Sequence, residues 1–473
     1  MNINLLMKNK FILLLCVIYI LPIILANVYY IDDMGRAASG YGWDDDGRIF
    51  ATLIMQAISF NQIIASIYPL SLIISAFIIL LSGYIVSQVL IQKNNSFYNI
   101  SSLILLTSPF YLENLSYRYD SIPMSLSVLL SVIPFLYKSK LKFFISSLFC
   151  LTIVFGLYQT SSMIYFAVLV CILIGSIKEK KILKNYKIII ISLFCFLSSY
   201  IIYKNILSFY EINLNRGQLI KLDEHFLGLI LDRLDSYYLI YKSLLDSNYV
   251  IAISPLIISL FLSVVLYIKS GGISSIVSNI LFLFLLSLLF ILTMLPNLVI
   301  INPWYSPRTM VCFPFIIYGI ILYCNNINKI FLNISISILI FFSFILSNSY
   351  GNILKSNDEY NSFLSQSISS TIMENNHYSS YNLVIVGRQK TPHRSNLQYE
   401  IYPILKRVTP VYMTEGWYWG VASLSNYLNI NSVSNRSEIS KKTCDYNLIK
   451  ETSLYSIYSE DDLFIVDFSN KCR

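Results

Sequence analysis

Five aspartates and two arginines fall within seventeen residues, "DDMGRAASGYGWDDDGR" at 32–48, in a chain of which only 13% is charged. Carboxylates can take the proton from an attacking hydroxyl, and guanidinium groups can neutralise a departing phosphate. Gly35, Gly40, Gly42 and Gly47 allow tight turns between the charges. Tyr41 and Trp43 supply flat faces that suit a sugar ring or the headgroup level of a membrane. Two further stretches repeat the mixture. "ENLSYRYDSIP" (113–123) offers Glu113, Arg118 and Asp120, and "NPWYSPR" (302–308) offers Trp304, Tyr305 and Arg308 on a turn stiffened by two prolines. Three such loops on one membrane face predict one shared pocket. The chemistry that needs this mixture is group transfer at a lipid-borne phosphate. A carboxylate would serve as base, arginine would hold the leaving group, and aromatic rings would orient the saccharide.

The elements that carry these loops are membrane helices. The chain is 56% hydrophobic with a mean hydropathy of +0.62, and apolar runs long enough to cross a bilayer recur along its 473 residues. Spans are expected near 11–31, 69–91, 100–112, 122–137, 143–158, 161–177, 188–206, 250–268, 277–296, 309–324 and 331–348. The expected architecture is therefore a polytopic all-α membrane domain of about eleven transmembrane helices over 1–348, with a small soluble α/β domain over 349–473. The first run lacks a small-x-small cleavage site and reads as a retained signal anchor.

Lysines mark alternate turns: Lys8 and Lys10, Lys93, Lys138, Lys140 and Lys142, the group from Lys178 through Lys180, Lys181 and Lys184 to Lys187, then Lys269 and Lys329. By the positive-inside rule those turns and the N-terminus are cytoplasmic, and the three chemical loops and the tail lie outside. This distribution accounts for the net charge of +8 without any nucleic-acid partner. Every arginine then falls outside: Arg36, Arg48, Arg118, Arg216, Arg233, Arg308 and those of the tail. A rigid guanidinium fork suits phosphate or carboxylate. The alternative use is ion pairing among the loops themselves.

"IFATLIMQAISF" (49–60) sets Phe50, Leu53, Ile54, Ala57 and Ile58 on one side at helical spacing, as expected of a helix lying along the interface. Phe226, Leu229, Leu231, Leu234 and Tyr238 predict a juxtamembrane helix roofing the site. In the tail, "YNLVIVG" (381–387) and "LFIVDF" (463–468) read as buried strands. In "TEGWYWG" (414–420), Trp417, Tyr418 and Trp419 could stack on acceptor sugars or pack a core. Cys444 and Cys472 could pair if the tail faces an oxidising compartment; the other six cysteines read as small packing residues. His225, His377 and His393 lack partners at metal-ligand spacing. Asp32–Asp33 and the Asp44-x-Asp46 pair could hold a divalent cation, though a monophosphate leaving group beside arginines does not require one.

"YIDDMGRAASGYGWDDDGR", with "ENLSYRYDSIPMSLS" further on, resembles the Gtr serotype-converting glucosyltransferase family of bacteria and prophages, which decorate O-antigen. The resemblance covers roughly residues 10–350. It implies a GT-C-type glycosyltransferase of the bacterial inner membrane. Such an enzyme moves glucose from undecaprenyl-phosphate-glucose to a lipid-linked O-antigen repeat on the periplasmic face. By the family pattern Asp32, Asp33, Asp46, Glu113 and Asp120 are the catalytic carboxylates, with Asp32 or Asp33 expected as base. Arg36, Arg48, Arg118 and Arg308 are the expected donor-phosphate ligands, Arg118 and Arg308 foremost. Tyr41, Trp43, Trp304 and Tyr305 are the expected saccharide contacts. The alternatives are a flippase or exporter of lipid-linked saccharide, which would need polar groups inside the spans, and a transferase of another sugar onto lipopolysaccharide.

Overall fold

The computed structural model describes residues 10–91, 98–178, 185–212, 220, 226–324, 329–375, 378–431, 433, 436–469 and 471–472. Lys8, Lys93, Lys180, Lys181, Lys184, Arg216, His225 and His377 lie outside the described residues. Among the described residues six helices are long and apolar enough to cross a bilayer: Leu70–Leu90, Gln159–Ser176, Tyr186–Phe209, Phe226–Lys269, Ile273–Val299 and Lys329–Asn375. Shorter apolar helices, Lys10–Ala26, Ile49–Ser59, Ser121–Leu136 and Phe313–Tyr323, pack among them. The chain is thus a polytopic helical membrane protein.

The stretch expected to cross at 100–112 is not a helix. Residues 102–107 form turns, Pro109–Tyr111 a single 3-10 turn and Leu112–Ser116 a short helix. Every residue from 101 to 125 is buried. Irregular backbone at membrane depth is tolerated only inside protein, because lipid cannot satisfy its amides and carbonyls. Tyr318 supplies one such partner, donating to the Ser101 carbonyl at 2.6 Å. Gly83 permits the approach, since a side chain there would collide with the Ser102 carbonyl.

The helical residues of Val250–Val299 make up two spans, which part between Lys269 and Ile273. Ser263 donates to the Tyr323 carbonyl at 2.9 Å, and Asn279 accepts from the Tyr323 hydroxyl. Sixteen residues of straight helix would separate those positions by about 24 Å. The chain therefore doubles back between them, as the lysine at 269 led one to expect.

Two helices show which of their faces meets the protein. In Ile49–Ser59 the buried residues are Ile49, Ala51, Thr52 and Met55, with Phe50, Ile54 and Ile58 packed partly buried beside them, while Leu53 and Ala57 are exposed. In Phe226–Leu244 they are Arg233, Tyr237, Ile240 and Leu244, while Leu229, Leu231 and Tyr238 are exposed. In a membrane-associated helix an apolar stripe can face lipid instead of core, so periodicity alone does not select the inner face.

The expected boundary at 348/349 falls inside the 47-residue helix Lys329–Asn375. That helix is about 70 Å long, against about 30 Å for a bilayer core. Its first half packs in the bundle, and Leu364, Ile368 and Ile372 pack against the C-terminal sheet. The sheet has five strands in the order β2-β1-β5-β4-β3: β1 (Tyr381–Val386), β2 (Ile430–Asn431), β3 (Asn447–Glu451), β4 (Ser456–Glu460) and β5 (Leu463–Asp467). β1 runs parallel to β2 and β5, and β3-β4-β5 is an antiparallel meander. The two strands read from the sequence are β1 and β5, buried at the sheet centre where continuous apolar runs belong. Cys444 and Cys472 form a disulfide that ties the chain end to the segment before β3.

Candidate active site

The opening loop folds as a short helix, Asp33–Ser39, ended by Gly40 in the left-handed conformation (φ 63°) with its N–H on the Arg36 carbonyl. Asp33 is fully buried. Its carboxylate accepts from the backbone N–H groups of Arg118 (2.8 Å), Tyr30 (3.3 Å) and Tyr119 (3.4 Å), stapling the first loop to the second. Burial pushes its pKa up to about 7, against the pull of those amides.

The next three arginines are engaged close by. Arg36 Nη1 (2.8 Å) and Arg48 Nη1 (2.7 Å) take one oxygen each of buried Asp120. Arg36 Nε and Arg48 Nη2 have no hydrogen-bond partner among the described residues. The Trp43 ring lies against both guanidinium groups instead, at 4.2 and 5.5 Å. Arg118 closes the end of the first helix, donating to the carbonyls of Val28 (3.0 Å) and Asn27 (2.6 Å), with Tyr29 and Tyr68 on its faces. Arg36 and Arg48 thus display the ion-pairing use, and Arg118 is engaged by backbone carbonyls. Trp43, 1% exposed, packs on cations and offers no face to a sugar. Asp44–Asp46 form an exposed 3-10 turn, in which Asp44 accepts from the Thr52 hydroxyl at 3.1 Å. Among the described residues no three His, Cys, Asp or Glu side chains are grouped to hold a metal ion.

A different set of residues surrounds open space. A cavity of about 570 Å³ lies between the bundle and the C-terminal domain. Glu113, Trp304, Tyr305 and Ser306 line it from the bundle, and Arg388, Lys406, Arg407, Trp417 and Trp419 from the tail. Three of the chain's four tryptophans therefore meet there. Trp417 stacks on Trp419 at 4.6 Å and meets Trp304 edge-on at 5.3 Å. Glu113 is the one carboxylate among the described lining residues. Its Oε2 accepts from the Ser306 hydroxyl and from the Arg308 N–H (3.0 Å), and Arg308 Nε stands 3.9 Å from Oε1. Burial raises its pKa despite those donors, which favours a carboxyl able to hold a proton. Arg308 also donates to the Tyr117 hydroxyl.

Of the residues expected from sequence, Glu113, Trp304 and Tyr305 line this cavity and Arg308 adjoins it through Glu113. Asp33, Asp120, Arg36, Arg48, Arg118 and Trp43 form the buried network beside it. Asp46 and Tyr41 are exposed outside its lining. Asp32 is half-buried with Tyr418 Oη 3.5 Å from its carboxylate, and Tyr41 Oη lies 3.5 Å from the same hydroxyl. Sequence reasoning missed Arg388, Lys406 and Arg407. The proline-bounded "PILKRVTP" (403–410), a cation pair on a stiffened turn, was the available signal. The helix 226–244 touches the cavity through Ser243. Its Arg233 instead closes the end of the neighbouring span on the carbonyls of Leu298 and Ile300 (both 2.7 Å).

A second cavity of about 590 Å³ lies between Phe50 and Leu53 on one side and Ile202, Ile206 and Phe209 on the other. Its lining is largely apolar and its charged group is a carboxylate, Asp44, which disfavours a phosphate there.

Residues 21–348 match the family model described as Glucosyl transferase GtrII. A Salmonella phage P22 protein, described as an uncharacterized 55.3 kDa protein in the gtrB 5' region, is 29% identical over 252 residues, 50% of this chain and 51% of that protein. The chain thus spans about half the length of this curated relative. No solved structure matches the chain.

Proposed function

The chain belongs to the GtrII glucosyl transferase family, and on that premise we propose that it transfers glucose from undecaprenyl-phosphate-glucose to a lipid-linked O-antigen repeat at the periplasmic face of the bacterial inner membrane. The observation that carries this reading is the cavity in which a buried carboxylate, Glu113, faces tryptophans from both halves of the molecule. In the proposed step the acceptor hydroxyl oxygen attacks the anomeric carbon. The bond from that carbon to the phosphate oxygen breaks, and undecaprenyl phosphate leaves with the electron pair. Glu113 takes the hydroxyl proton, which it later yields to water. The Ser306 hydroxyl and Arg308 amide fix the carboxylate's orientation, and Trp304, Tyr305, Trp417 and Trp419 provide ring faces for the two sugars. Asp33 and Asp120 act at one remove in this account, by holding the loops that flank the cavity. Asp32 is the remaining candidate base from the opening loop.

The outward orientation rests on the lysine-bearing turns and on the Cys444–Cys472 disulfide, a bond that persists in oxidising compartments. The test uses inner-membrane vesicles carrying the wild-type protein, supplied with labelled undecaprenyl-phosphate-glucose and lipid-linked O-antigen. Label should move to the acceptor. No transfer with both substrates present would sink the reading and return attention to other sugars and to saccharide export.

A further inference from the structure

Resting on the transfer reading, we propose that the lipid-linked phosphate is held by the C-terminal domain, through Lys406 and Arg407 together with Arg388, and not by Arg36, Arg48 or Arg118. Arg36 and Arg48 share Asp120, Arg118 is spent on backbone carbonyls, and none of the three lines the cavity. The cavity lining holds three cations against one carboxylate. Among the described residues none of those three cations is in an ion pair, and Glu113 already has its own donors. A wet pocket with this excess of positive charge selects an anion.

The mount is rigid. Lys406 and Arg407 sit on the short helix Leu405–Val408 between Pro403 and Pro410. Tyr30 (2.8 Å) and Tyr350 (3.1 Å) both donate to the Val408 carbonyl, and the Ile404 N–H donates to Ser247 Oγ at 2.9 Å. Three separate membrane segments thus fix where the cation pair stands. A phosphate bound there sits where a sugar on it can meet Glu113 and the tryptophans, which line the same space. The phosphate can belong to the monophosphate carrier of the donor or to the diphosphate carrier of the acceptor.

The test is titration of undecaprenyl phosphate and, separately, undecaprenyl diphosphate into the full-length protein in phosphatidylcholine nanodiscs, read by quenching of tryptophan fluorescence. Wild type should bind at least one carrier. The double variant Lys406→Ala/Arg407→Ala should bind it about ten- to a hundredfold more weakly, while the charge-keeping Lys406→Arg and Arg407→Lys retain most of the affinity. Stronger binding of the monophosphate assigns the site to the donor, and of the diphosphate to the acceptor. Arg388→Ala, at an exposed position after β1, gives a second variant should the double one fail to fold. Unchanged affinity in a folded variant, or no binding of either carrier by wild type, overturns the assignment. Carrier binding that depends on these cations without any glucose transfer would leave the phosphate site standing and remove the transfer reading alone.

Discussion

The opening loop and the tryptophan-lined cavity lie side by side, and each combines carboxylate, cation and aromatic ring. In the loop network Asp33 and Asp120 are buried and matched: three backbone amides meet one carboxylate and two guanidinium groups meet the other. In the cavity three cations stand without carboxylate partners among the described residues, and five aromatic side chains line the open space. Dense charge that is paired internally fixes the position of loops. Sparser charge left without partners is what a ligand can use. On the proposed reading, the loop that dominates the sequence serves architecture and the cavity serves chemistry.

The widest separation between the two regions should come from Asp120→Ala. It strands two guanidinium groups in a buried site and should destabilise the protein by about 3–5 kcal/mol, read as loss of folded protein in membranes and a lower unfolding temperature in detergent. Near-normal abundance and melting would break the architectural assignment. Replacing Cys444 and Cys472 with serine acts on the other side. The bridge closes a 28-residue separation, and its removal should destabilise the C-terminal domain by roughly 3–4 kcal/mol. Limited proteolysis should show cleavage moving into the tail while the bundle stays intact.

Asp33→Asn should cost about 1–3 kcal/mol, because an amide replaces a carboxylate among backbone donors. Its pH behaviour sharpens the point. The folded-state pKa, about 7, lies above the unfolded value near 3.8, so the folded state binds the extra proton between them. Asp33 thus contributes stability at low pH that is lost as pH rises from about 4 through about 7. Unfolding curves across that window should flatten in Asp33→Asn, and an unchanged slope would argue against a buried titrating carboxyl. The smallest effect is expected from Trp417→Ala, a part-exposed ring of the cavity, with a loss of about 1 kcal/mol of ring contact. It should raise KM for a saccharide substrate roughly fivefold with kcat little altered. A change in kcat alone would move Trp417 from saccharide contact to a support for the reacting groups.

Much of this arrangement was legible in residue types. The helical hairpin around Lys269, strands β1 and β5, and the grouping of Glu113 with Trp304, Tyr305 and Arg308 follow from apolar run length, lysine placement and proline-stiffened turns. Three things were not legible, each for a physical reason. Residues 100–112 are as apolar as a span, and only tertiary burial allows them to be irregular. The inner faces of Ile49–Ser59 and Phe226–Leu244 could not be told from the lipid-facing ones, because lipid and core are equally apolar. The roles of Arg36, Arg48 and Arg118 depended on partners such as Asp120 and Leu157, 72 to 109 residues from Arg48, which no local spacing reveals.

The central claim is that the base stands in the cavity. Its most direct measurement is the single-turnover rate of glucose transfer by Glu113→Gln beside wild type, in vesicles matched for folded protein. Glutamine keeps the shape and can still accept from Ser306 and the Arg308 amide, but it cannot take the acceptor's proton. The account predicts a rate lowered by about a hundred- to ten-thousandfold with substrate binding retained. A rate within a fewfold of wild type would contradict it and shift the search for the base to Asp32.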